Sequence, residues 1–210
     1  INKRKVTIIN TCSIQQEIQD LARVTCPDSV SVGINPMFSP KLSHINRTAL
    51  VCEASPTRTG DDISEFLVEA GMRVTRLTPS EHDRTMSACQ TLPHTLIITY
   101  IMSMPSSKEE LATLLEIAPP PMQALMCLAA RIIENEPETY WDIQKNNGYS
   151  IQVRDQIKKN LNNLESWLEG NEVERFHDAI RDRRESLGDL ILSYGNTCRV
   201  IFEALNSDES

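Results

Sequence analysis

The stretch MRVTRLTPSEHDRTMSACQTLPH, Met72 to His94, is where the chain changes its periodicity. Met72 to Leu77 is a short run with β-branched residues, of the kind that forms a strand. Thr78, Pro79 and Glu81 then read as an N-cap, a first helical residue and the third position of a capping box. Strand signals occur only before this junction, and after it the signals are helical throughout. The junction therefore predicts an α/β segment over residues 1–77 and an all-helical segment over 78–210.

Upstream, KVTIIN (Lys5 to Asn10), VSVGI (Val30 to Ile34) and TALVCE (Thr48 to Glu53) read as further strands, bounded by Pro, Asn or Ser loops. DDISEFLVEAG places Ile63, Phe66, Leu67 and Ala70 on one helical face, with Gly71 where a C-terminal cap belongs. It predicts a helix that links two strands as a crossover. Downstream, helical signals break at Met104-Pro105, at prolines 119 to 121, before Pro137, at Gly148 and at Gly170. Ile157, Leu161, Leu164 and Leu168 alternate spacings of four and three, a seam for a bundle or a second subunit.

Composition bounds the function. The 210 residues carry a net charge of −8 with scattered Lys and Arg, which argues against a nucleic-acid partner. The cysteines at 12, 26, 52, 89, 127 and 198 form no CxxC pair and no metal-ligand spacing, so no metal is expected, and they read as reduced thiols of a cytoplasmic protein. The apolar run Leu92 to Met104 is too short to cross a bilayer, reads as a buried helix, and leaves no membrane role. The chain opens INKRKVTIIN, without methionine and on a strand pattern, from which upstream sequence is expected.

Two of the four histidines lie in Glu81 to His94. His82 sits in the first turn of the capped helix, where the helix dipole favours a neutral imidazole; spacing alone reads His82 and Asp83 as decorating a solvated helix end. His94 falls inside an apolar run and is expected to be largely buried. Pro93, with no amide proton, is expected to bend the helix and free the Cys89 carbonyl.

The same stretch, EHDRTMSACQTLPH, resembles a signature of the prephenate dehydrogenases, NAD(P)-dependent enzymes of tyrosine biosynthesis. NTCSIQ (Asn10 to Gln15) is similar to that family's D-x-x-S-V-K strand end, NPMFSP (Asn35 to Pro40) to its HPM-F-G-P loop, and ARIIENEPETYWDI to its helix with an arginine, an acid-Pro pair and an aromatic. The four motifs occur in the family's order. The resemblance implies that residues 1–77 are the C-terminal part of a Rossmann-like nucleotide-binding domain, lacking the GxGxxG half, and that 78–210 bind substrate and form a homodimer.

By the same resemblance Ser13 lies near the nicotinamide and the reacting carbon, with Asn10 also on the cofactor side. Without that role Ser13 would simply cap the helix after the first strand. His94 holds the substrate, Gln90 faces the pocket, Arg131 grips a substrate carboxylate and Tyr140 supplies the aromatic. His82 and Asp83 organise the site. The departures are Asn10 and Gln15 at the two charged ends of the first motif, Asn35 for the histidine of the second, and Lys41 at a following acidic position.

The expected reaction is oxidative decarboxylation of a prephenate-type small molecule by NAD or NADP. Asn35 shifts the favoured substrate to 4-amino-4-deoxyprephenate, which gives 4-aminophenylpyruvate for specialised metabolites such as antibiotics. The alternatives are prephenate itself, in tyrosine biosynthesis, or a non-catalytic helical dimerisation module. The 210 residues alone are expected to be inactive.

Overall fold

A computed structural model describes residues 6–206, without the side chain of Asn206. Lys5, the start of the first expected strand, lies outside the described residues. The sheet has four strands: β1 (Thr7–Asn10), β2 (Val30–Pro36), β3 (Thr48–Cys52) and β4 (Arg73–Leu77). Their order is β1-β2-β3-β4, with β1 parallel to β2, β2 antiparallel to β3, and β3 parallel to β4.

Strand alternation gives the sheet two buried faces. On one, Val32, Ala49 and Val51 pack with Leu67 of helix α2 (Arg58–Glu69). On the other, Leu50 and Cys52 pack with Met86 of helix α3 (Pro79–Met86). Helix α1 (Gln16–Thr25) also packs against α3 and β2. Glu53 is buried at the end of β3, where it accepts from the Thr57 amide and hydroxyl and pairs with Arg76, which also pairs with Asp61. The crossover helix ends as its sequence predicts, with Gly71 at φ +86°. Phe66, placed by periodicity on its buried face, is instead 68% exposed, because Leu67 and Ile63 fill the sheet contact.

The Thr78 junction forms as its sequence predicts. Thr78 Oγ1 accepts from the Glu81 amide while the Glu81 carboxylate accepts from the Thr78 amide, a complete capping box. The bend expected at Pro93 takes the form of a π turn at Ser87–Thr91, in which the Leu92 amide donates to the Ser87 carbonyl, five residues back. Proline cannot hold the ordinary helical bond, and the loosened ladder relaxes by one residue.

The chain divides into two compact units, one of Ile1–Leu92 with Trp141–Ile151 and one of Pro93–Tyr140 with Gln152–Ser210. In the first, the returning segment ties down the π turn: Gln144 Nε2 donates to the Thr91 carbonyl at 3.1 Å, and Asn147 Nδ2 to the Asp83 carbonyl at 2.8 Å.

The second unit is helical: α4 (Leu92–Met102), α5 (Lys108–Glu116), α6 (Pro120–Ile133), part of α7 (Pro137–Asn146), α8 (Ser150–Glu169), α9 (Val173–Leu187) and α10 (Leu190–Asn206). The expected breaks all separate helices, and Gly188, at φ +50°, adds one that the sequence reading missed. One expectation is corrected. The apolar helix α4 has no buried residue within the chain, and Leu96 and Met102 stay exposed, because no other element of this unit covers it fully. In the seam of α8, Leu161 and Leu168 are exposed as well. No helix among the described residues is long and apolar enough to cross a membrane.

Candidate functional site

In the first unit, the carboxyl end of β2 carries Asn35, which is buried. Its Nδ2 lies 2.9 Å from His82 Nε2. His82 Nδ1 in turn lies 2.8 Å from Asp83 Oδ1. That oxygen also accepts from the Gln15 backbone amide at 2.8 Å, and Asp83 Oδ2 accepts from the Gln16 amide at 2.9 Å. A carboxylate can only accept, so Nδ1 of His82 donates to it, and the Asn35 Nδ2 that faces Nε2 gives that nitrogen the accepting role. The remaining end of Asn35, its carbonyl Oδ1, has no hydrogen-bond partner among the described residues and is the end left for a ligand.

His82 is 0% exposed, against the solvated helix end that its spacing suggests. The first turn of α3 is covered by β2 and by the N-terminus of α1, and its polar groups are satisfied there. Asp83 also caps α1, whose own N-cap, Gln15, makes no side-chain cap bond. Its charge sits at the positive end of that helix. The capping role that spacing offers Ser13 is thus taken by Asp83, and the Ser13 hydroxyl, half-buried between β1 and α1, makes no hydrogen bond among the described residues.

Gln15, noted in the sequence only as a departure from the family's first motif, belongs to this site. It is fully buried, and its amide lies over Gly33 so closely that a Cβ there would meet Oε1 at 1.7 Å. Nε2 donates to Asn10 Oδ1 at 2.9 Å and to the Cys12 carbonyl at 2.7 Å, which pins the loop that carries Ser13. Gln15 Oε1 and Asn10 Nδ2 are buried without partners among the described residues. The available signal was the pairing of two amides five residues apart. Cys52, on the same face of the sheet, has its thiol pushed up to about 12, first by burial and then by the negative charge of Asp83.

In the second unit His94, Arg131 and Tyr140 come together. The His94 and Tyr140 rings meet edge to face with centroids 5.0 Å apart. Burial, and then the Arg131 cation, hold the His94 imidazole below its ordinary range, so it is neutral near pH 7. His94 Nδ1 is buried without a partner among the described residues. Arg131 is exposed near the end of α6 and makes no ion pair among the described residues. Tyr140 Oη accepts from Asn135 Nδ2 at 3.1 Å. Gln90, in the π turn of the first unit, keeps a buried Oε1 without a partner among the described residues. No cluster of three or more metal-ligating side chains exists among the described residues.

The chain is 27% identical over 199 residues to a 4-amino-4-deoxyprephenate dehydrogenase of Streptomyces pristinaespiralis, covering 95% of this chain and 67% of that protein. It spans less than half of two other curated relatives it matches. Among solved structures it resembles an arogenate dehydrogenase of Synechocystis, with TM-score 0.66, 12% identity, and 86% and 68% of the two chains covered. It also resembles prephenate dehydrogenase from Aquifex aeolicus in complex with hydroxyphenyl propionate and NAD+, with TM-score 0.58, 17% identity, and 87% and 68% covered. These structures share its fold, an α/β segment that is the C-terminal part of a Rossmann-like domain followed by helices. Residues 78–182 match the family model described as prephenate dehydrogenase, dimerization domain. That match takes in the capped helix, the π turn, His94, Arg131 and Tyr140, and by it the chain belongs to the prephenate dehydrogenase family.

Proposed function

We propose that this chain is the C-terminal part of a dehydrogenase that oxidatively decarboxylates 4-amino-4-deoxyprephenate to 4-aminophenylpyruvate, with residues 1–77 completing a nucleotide-binding domain and 78–210 forming the substrate-binding and dimerisation domain. The observation that carries this reading is the orientation of Asn35. Its N–H is committed to His82. Its carbonyl can accept from an amino group at C4, and it cannot become a cation that repels one. The relative from Streptomyces pristinaespiralis, named for that amino substrate, agrees.

The residues present fit the nicotinamide end of a dinucleotide. Asn10 offers a buried donor without a partner at the carboxyl end of β1, where ligands of open α/β sheets bind, and Ser13 follows with an unpaired hydroxyl. A bound NAD or NADP supplies the hydride acceptor, and the two cofactors are not separated by these residues. Ser13 orients the reacting carbon. His94, neutral and with Nδ1 unpaired, holds the substrate by hydrogen bonding, and Gln90 offers a second acceptor. Arg131 takes a substrate carboxylate with its planar fork, and Tyr140 braces His94. His82 and Asp83 hold Asn35 rather than act on substrate. Positioning and charge balance are therefore the protein's share of the work.

The test is Asn35→His in the full-length protein. A general base is worth on the order of 10²- to 10⁴-fold in rate, so the variant should shift kcat/KM strongly toward prephenate, which carries a C4 hydroxyl. An unchanged preference removes Asn35 from the assignment.

A further inference from the structure

We propose that Gln15 is a specificity-determining residue that keeps the floor beneath Asn35 free of positive charge, so that a cationic substituent is admitted. The proposal rests on the amino-substrate reading above, and it adds a second residue and a second physical cause. Gln15 would act through the field at the site and not by contact with substrate. It lies wholly buried over Gly33, two residues before Asn35 on β2, and alternation puts both positions on the same face of the strand.

The charges around this floor can be enumerated. Asp83 is buried, and its oxygens take the Gln15 and Gln16 amides and His82 Nδ1. It has no lysine or arginine partner among the described residues. Asn10 and Gln15, hydrogen-bonded to each other, contribute no charge. The acidic group nearest to Asn35 and Gln15 is therefore Asp83, whose field reaches Cys52. A lysine at position 15 would neutralise it and set a buried cation beside an incoming ammonium; charges in a poorly hydrated site interact far more strongly than in water. The neutral amide leaves the negative field intact while still pinning the Ser13 loop through Asn10 and the Cys12 carbonyl.

The experiment is a charge series in the full-length protein, read as the ratio of kcat/KM for 4-amino-4-deoxyprephenate to that for prephenate. Gln15→Lys, which adds one positive charge, should lower the ratio by roughly tenfold or more; Gln15→Glu should raise it by roughly threefold or more. Gln15→Met, which loses the hydrogen bonds without adding charge, should slow both substrates alike and leave the ratio within about threefold. Ratios that stay flat in both charged variants, or that fall in Gln15→Met as far as in the lysine variant, overturn the proposal. If the lysine variant does not fold by circular dichroism, the glutamate arm decides alone. Because a shift in the ratio is read, the result stands whichever substrate the unmodified enzyme prefers, and failure here is distinct from failure of the Asn35 assignment.

Discussion

Asn35 Nδ2 donates to His82 Nε2 across 2.9 Å, so the orientation of a site amide is set by a histidine 47 residues further along the chain. His82 is itself oriented by Asp83, and Asp83 by the first amides of α1. This chain of bonds fixes the end of Asn35 that a ligand meets.

His82→Leu should therefore cost both stability and selectivity. It strands the Asn35 N–H in a buried place, which typically costs about 1–3 kcal/mol. The denaturant midpoint should fall accordingly, and the released amide can rotate, so the preference for an amino substrate should weaken. A variant as stable and as selective as the parent would show that the His82 contact is incidental.

Arg131→Ala should raise KM by roughly 10- to 100-fold, as expected for losing one charged partner of a substrate carboxylate. Arg131 is exposed and makes no ion pair among the described residues, so thermal stability should hardly change. An unchanged KM returns Arg131 to an ordinary surface position.

His94 gives a pH dependence of definite sign. Its folded imidazole is held below the ordinary value of 6.5 by burial and by Arg131. As pH falls through that value, the unfolded chain takes up the proton first, so stability present above it is lost below it. Urea midpoints measured between pH 8 and 5 should fall more steeply for the parent than for His94→Gln, and equal slopes would contradict this.

The apolar face that the chain leaves open predicts a homodimer. Leu96 and Met102 of α4, Leu190, Leu192 and Val200 of α10 and Leu168 of α8 are all more than half exposed, more apolar surface than a monomer usually shows. Sedimentation at micromolar concentration should give twice the chain mass, and Leu96→Glu with Leu192→Glu should give the chain mass alone. A monomeric parent would count against this.

The elements of this fold were legible wherever a local rule governs them. The capping box at Thr78, the turn at Gly71 and the proline breaks need only neighbouring residues, and each forms. The burial of His82 was not legible, because the first turn of a capped helix is ordinarily wet. Here it is dry only because β2 and the start of α1 arrive from far away in sequence. Helix α1 itself was hard to read, since its larger apolar residues Leu21 and Val24 face outward while Gln19 and Ala22 are buried. The role of Gln15 was invisible for the same reason: a glutamine becomes a floor only when Gly33 of another strand leaves room for it.

The account turns on what stands at C4 of the substrate. Its most direct test is steady-state kinetics of the full-length protein on 4-amino-4-deoxyprephenate and on prephenate, side by side with NAD+ and with NADP+. The kcat/KM for the amino compound should be higher with whichever cofactor supports turnover. A value for prephenate equal to or above it would overturn the assignment of the amino substrate.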